Sequence, residues 1–229
     1  MHLIKGLSPK TVGLAAAVIT VTIWTAFIVI ARASAKGALT PFDIALARII
    51  GASLVLVPVG WWLVRRDRDN PGQPGAGASS FFGLSPLSLR VTAVCGVFGG
   101  FGYAALAYSG FFYAPAAHAS VLMPGSLPLW TTLLAALILQ VRITPVRALG
   151  LAFIICGDLL VGGASLLRAF DGGEVWKGDV LFMTAALCWS AYSVLARRHA
   201  LDAVRATVAI TVFALMSYVP AYSLLLAMG

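Results

Sequence analysis

Apolar runs of membrane-crossing length take up most of this chain. Residues 11–31 carry no charge, 44–64 carry only Arg48, and 91–141 contain no Asp, Glu, Lys or Arg. A helix needs about 20 residues to cross a hydrocarbon core of roughly 30 Å. The third run is therefore two spans, divided at 109–115, where Gly110 and Pro115 predict a tight hairpin. Further spans read at 146–167, 178–197 and 206–228, giving seven. Because lipid offers backbone groups no hydrogen-bond partners, runs of this kind must fold as helices. With 60% hydrophobic and 10% charged residues and a mean hydropathy of +0.95, a soluble domain is excluded.

The first run is too long for a cleavable signal and has no small-residue cleavage site after it, so it stays as a helix. Cys95, Cys156 and Cys188 all lie inside spans with no metal-ligand or CxxC spacing. The stretch 67–80, with NPGQPGAGASS, reads as a flexible linker without the features of a phosphate cradle. The net charge of +8 follows topology. Eleven basic residues fall on the side of the N-terminus (Lys5, Lys10, Arg65, Arg66, Arg68, Arg90, Arg142, Arg147, Arg197, Arg198, Arg205), and five on the other (Arg32, Lys36, Arg48, Arg168, Lys177). The positive-inside rule then places the N-terminus in the cytoplasm. No basic patch is interleaved with stacking aromatics, so nucleic acid is not an expected partner; the lipid bilayer is.

Two nine-residue phrases give the spans their organisation. Residues 24–32 read WTAFIVIAR and residues 189–197 read WSAYSVLAR, with five identities and three close substitutions across an offset of 165. Gly13 and Gly178 match eleven residues ahead of each Trp. The copies lie on the first and sixth spans, an odd step of five, so they should cross in opposite directions. Such inverted repeats are a recurring architecture of secondary transporters, with the site near the midplane between the halves. At 1.5 Å per residue, Trp24 lies about 20 Å and Trp189 about 16 Å from the start of its span. Both are mid-membrane, unlike Trp61, Trp62 and Trp176, which sit beside basic residues as interfacial tryptophans do.

In order along the chain, Trp24, Lys36, Pro41 and Arg48, then 101–108, FFYAPAAHASVLMPGSLPLWTTLLAALIL at 111–139, GLAFIICGDLLVGG at 150–163 and GDVLFMTAALCWSAYSVLARR at 178–198 resemble an EamA-type member of the drug/metabolite transporter superfamily. The resemblance implies an all-α polytopic membrane protein of two inverted five-helix repeats, ten helices in all. Residues 1–170 would hold the first repeat, with helices at about 11–33, 42–64, 88–110, 116–140 and 146–167 and a cytoplasmic linker at 65–87. Residues 171–229 would hold two helices of the second, 178–197 and 206–228, so that seven of ten are expected and the chain reads as C-terminally truncated. One departure is local: where the family places a Glu after the fourth helix, this chain has Val141.

Candidate site residues follow from chemistry in the spans. An ionised carboxylate at mid-membrane costs roughly 2.5–3.5 kcal/mol on insertion scales, which makes Asp158 a candidate for proton exchange or for an ion pair with Arg48 at similar depth. Trp189, Tyr192 and Ser193 share one helix face at i, i+3 and i+4, and Trp24 and Phe27 repeat that geometry. Together with Tyr103 and Tyr108 they are the expected lining of an amphipathic solute cavity; helix packing is the alternative for each. His118 reads as interfacial, and Gly96, Gly99, Gly100 and Gly102 as a surface for close helix approach.

These readings predict a multi-pass protein of a bacterial inner membrane. Its expected activity is to move a small organic metabolite or drug, outward on the resemblance, by alternating access, without enzymatic activity, cofactor or metal. A homodimer, or helices supplied from elsewhere, would be its protein partners. The alternatives are a non-transporting fragment, and more remotely a seven-helix receptor or an intramembrane enzyme. Against the last two stand the absence of Lys from 206–228 and the position of Ser126 and His118 on one span.

Overall fold

The computed structural model describes residues 8–35, 40–69, 79–168 and 172–228. Lys5, Lys36 and most of the Gly/Pro linker lie outside them. The described residues form helices α1 (Pro9–Ala35), α2 (Pro41–Asp69), α3 (Leu89–Gly96), a π-helical segment Val97–Gly102, α4 (Tyr103–Tyr113), α5 (Ala116–Ile138), α6 (Pro145–Arg168), α7 (Val175–Arg198) and α8 (Ala203–Met228). α3, the π segment and α4 run on as one span, Leu89–Tyr113, so seven helical stretches are long and apolar enough to cross a membrane.

Local chemistry starts several of these helices. Thr40 and Asp43 make a reciprocal capping box on α2: the Asp43 N–H donates to Thr40 Oγ1 (3.2 Å) and the Thr40 N–H to Asp43 Oδ2 (2.7 Å). Asp202 Oδ1 accepts from the Arg205 N–H at 3.0 Å ahead of α8, and Ser8 Oγ from the Thr11 N–H at 3.2 Å ahead of α1. α2 runs to Asp69, beyond the expected end at 64, because Arg65 and Arg66 lie one turn past Trp61 and Trp62. Each guanidinium covers an indole, at 3.7 and 5.5 Å from the ring centroid.

α7 is the centre of the packing, against α5 and α4 chiefly, with α6, α3 and the π segment also touching it. Its buried row, Gly178, Phe182, Ala186, Ser190 and Val194, steps four residues at a time along one face. Gly178 lets α7 approach closely: a Cβ there would stand 2.5 Å from Ala114 Cβ and 2.8 Å from the Gly110 carbonyl oxygen. The predicted glycine surface also forms, since Gly99 lies under the Tyr192 ring of α7 and Gly100 under Ile210 of α8. The backbone widens into a π turn over the same glycines.

α8 pairs antiparallel with α2 and is tied to it at both ends. Near the start of α8, Arg205 makes two 2.7 Å bonds to the Asp67 carboxylate; near its end, Tyr218 donates to the Phe42 carbonyl (2.8 Å) and Tyr222 to Asp43 Oδ1 (2.5 Å). The Asp67–Arg205 pair is mostly enclosed, and a bidentate fork is the strongest form such a pair takes. The direction of the two repeat copies is fixed by similar contacts. Arg32, at the end of α1, donates to the Phe111 carbonyl near the end of α4, and Gly178, at the start of α7, lies against Ala114 just beyond it. α1 therefore ends where α7 begins, and the two copies run in opposite directions.

Candidate functional site

An open cleft of about 410 Å³ lies where α1, α2, α4 and α7 meet. Its walls are Trp24 and Phe27 from one copy of the repeat, Trp189 from the other, Tyr103 at the start of α4 and Arg48 from α2, with Thr20 and Ile23 at its edge. The two repeated phrases thus contribute one tryptophan each. The Tyr103 and Trp189 rings pack at 5.1 Å between centroids, tilted by 55°.

Arg48 supplies the charge. Its guanidinium lies 5.8 Å from the centroids of both Phe27 and Tyr108, and it has no carboxylate partner among the described residues. It also borders a smaller void of about 60 Å³ toward α8. The Trp24 indole N–H is enclosed and has no acceptor among the described residues. A cation and a free N–H donor set among aromatic faces suit a ligand with an apolar body and an oxygen acceptor, preferably anionic.

Three residues expected at this wall are elsewhere. Tyr108 is 2% exposed and belongs to the core, edge-on to Phe27 at 5.6 Å. Tyr192 packs on Trp189 at 5.3 Å and over Gly99, turned toward α3 and the π segment. Ser193 returns its hydroxyl to the Trp189 carbonyl at 2.8 Å. An i, i+3, i+4 triplet spans too wide an arc for one narrow cleft, so only its first member reaches the wall.

The structure does not bring Asp158 and Arg48 together. Asp158 is 7% exposed and faces a separate cavity between α5, α6 and α7, where its Oδ2 has no partner among the described residues. The expected pairing rested on similar depth, and depth alone does not say which way two helices face.

A polar cluster that the sequence did not reveal stands at the same interface. The His118 Nδ1–H donates to Asp179 Oδ1 at 2.7 Å, while the Ser165 hydroxyl donates to Asp179 Oδ2. This joins α5, α6 and α7 at one end. His118 is thus a buried-carboxylate partner as well as a residue near a span end. The missed signal was Asp179 itself, the second residue of the expected span, where it reads as an end-of-span charge; α7 begins three residues earlier, at Val175, so Asp179 lies a full turn inside the helix.

Seven membrane-length helices, two of them carrying an inverted repeat and a shared aromatic cleft, define a multi-pass helical membrane protein. The EamA-like transporter family matches residues 11–163, and the chain belongs to that family. It is also 33% identical over 124 residues to a protein described as "Uncharacterized transporter YyaM" from Bacillus subtilis (strain 168), a match covering 52% of this chain and 40% of that protein. The chain thus matches less than half the length of that relative. No solved structure matches. The family match agrees with the resemblance drawn from Trp24, Arg48 and the segments up to 163.

Proposed function

We propose that the cleft between Trp24 and Trp189 is the solute site of a secondary transporter that works by alternating access. One observation carries this reading: the two equivalent tryptophans of oppositely directed helices meet at one cavity, beside a guanidinium that has no carboxylate partner among the described residues. Rocking one half against the other would then open the same residues to each side in turn. The solute class that fits is a small organic molecule with an apolar or aromatic body and a carboxylate or comparable acceptor for Arg48 and the Trp24 N–H.

The basic ends of α2 and α7 support a cytoplasmic N-terminus in a bacterial inner membrane, and outward transport is the direction we assign. The test is export by the whole protein in cells, across a panel of amino acids and amphipathic carboxylates. Deleting the gene should raise intracellular accumulation of at least one solute. Trp24→Ala or Trp189→Ala should reproduce that phenotype, with a transport rate down by about tenfold or more, the scale of one lost aromatic or charge-assisted contact of about 1.5–3 kcal/mol. Unchanged accumulation across the panel would overturn the exporter reading.

A further inference from the structure

A second cavity, of about 170 Å³, lies between α5, α6 and α7, away from the tryptophan cleft. Its wall is almost wholly apolar, including Leu122, Leu129 and Met183, and its volume far exceeds the ~10–15 Å³ that a single water needs. Two polar groups reach this wall without partners among the described residues: Asp158 Oδ2, on a residue more than nine-tenths buried, and the enclosed indole N–H of Trp130. Gly125 of α5 makes room for the carboxylate, since a Cβ there would lie 3.0 Å from Asp158 Oδ1. The other carboxylate at the cavity, Asp179, is occupied on both oxygens by His118 and Ser165.

An unpartnered buried carboxylate is among the costliest groups a fold can hold, and one in lipid is retained where something binds it. The cluster has no set of three metal-ligating side chains among the described residues. What the cavity lacks is one cationic donor with an apolar body.

We propose that the α5–α6–α7 cavity is a binding site for a small protonated amine, its ammonium on Asp158 and its apolar part against Leu122, Leu129 and Trp130. The proposal does not rest on the solute reading of the tryptophan cleft. The ammonium donates to Asp158 Oδ2, and the Trp130 N–H is left for an acceptor on the ligand or for a water. Leu159, Leu166 and Val180, at the cavity's edge, are exposed, so an amphiphilic amine dissolved in the bilayer reaches the site sideways between α6 and α7.

The test is equilibrium dialysis of radiolabelled benzylamine against the whole protein in lipid nanodiscs, with benzyl alcohol as the uncharged competitor. Saturable binding is expected, unaffected by benzyl alcohol and retained in Trp24→Ala. Asp158→Asn should weaken it by about tenfold or more, as loss of a charge-assisted bond does. Should Asp158→Asn fail to fold, Gly163→Leu gives the same answer. Gly163 lines the cavity and a Cβ there meets nothing within 4 Å, so the backbone accepts a side chain and the added bulk takes up cavity space. Undiminished binding in both variants, or equal competition by benzyl alcohol, overturns the assignment. So does loss of binding in Trp24→Ala, or no saturable binding at all, which would leave Asp158 with a proton alone.

Discussion

Residues 24–32 and 189–197 share a phrase and almost nothing else about their surroundings. Both tryptophans are half-buried at the same cleft, yet Val29 is 58% exposed and its counterpart Val194 is 0% exposed. Thr25 faces outward, while Ser190 is enclosed and bonded to α5. α1 touches α2, α4 and α5 along its edge; α7 is surrounded. A repeated sequence therefore transmits the helix and the direction of its tryptophan. The neighbours decide how much of the rest is core.

The sharpest way to break the comparison is at the paired glycines. A Cβ at Gly13 meets nothing within 4 Å, whereas one at Gly178 collides with Ala114 and with the Gly110 carbonyl, backbone that has no flexible end to move aside. Overpacking of this kind costs about 1–3 kcal/mol or more. Gly178→Val should abolish folded, monodisperse protein in detergent or lower its thermal midpoint steeply, and Gly13→Val should stay within about 0.5 kcal/mol of the parent. Equal damage at the two sites would mean that α1 is as enclosed as α7.

A smaller contrast is expected at the valines. Val194→Ala leaves an unfilled space in the α7 core and should destabilise by about 1–2 kcal/mol. Val29→Ala exchanges one apolar surface for another against lipid, which is as apolar as the side chain removed, and should be near neutral. Chemical denaturation of the two variants side by side checks this.

These contrasts mark where the sequence stops being informative. The seven spans and the opposition of the repeats are legible because length and charge decide them. Four residues expected at a cleft, Trp24, Phe27, Tyr103 and Trp189, line one cavity, joined there by Arg48, which was expected to pair with Asp158 instead. The facing of each helix is much less legible. In water a polar stripe would mark the outward side, but in a bilayer both sides are apolar, so Tyr108 and Tyr192 looked as able to line a cleft as Tyr103. Small residues carry what signal remains, since close approach needs them: Gly178, Ala186 and Ser190 trace the buried row of α7. The His118–Asp179–Ser165 cluster stayed hidden because its members lie on three helices and each reads alone as an interfacial or packing residue.

The smallest expected effect tests whether polar contacts follow the same rule. The Thr131 hydroxyl donates to Ser190 Oγ at 3.0 Å, and Ser190 donates on to the Leu127 carbonyl at 3.3 Å, so Ser190 links α7 to α5 in a region without other polar side-chain contacts between them. Interhelical bonds of this kind in membranes average about 0.6 kcal/mol, with a ceiling near 1.7, because the separated helices find other partners. Ser190→Ala should therefore cost about that average, and Thr25→Ala, whose hydroxyl makes no bond among the described residues, close to nothing. A double-mutant cycle with Thr131→Val isolates the pair. A coupling near zero would assign the burial of Ser190 to its small size alone, as for Gly178 and Ala186. A coupling at the average would show that the substitution of Thr25 by Ser in the second copy does two things: it lets α5 approach, and it then bonds to it.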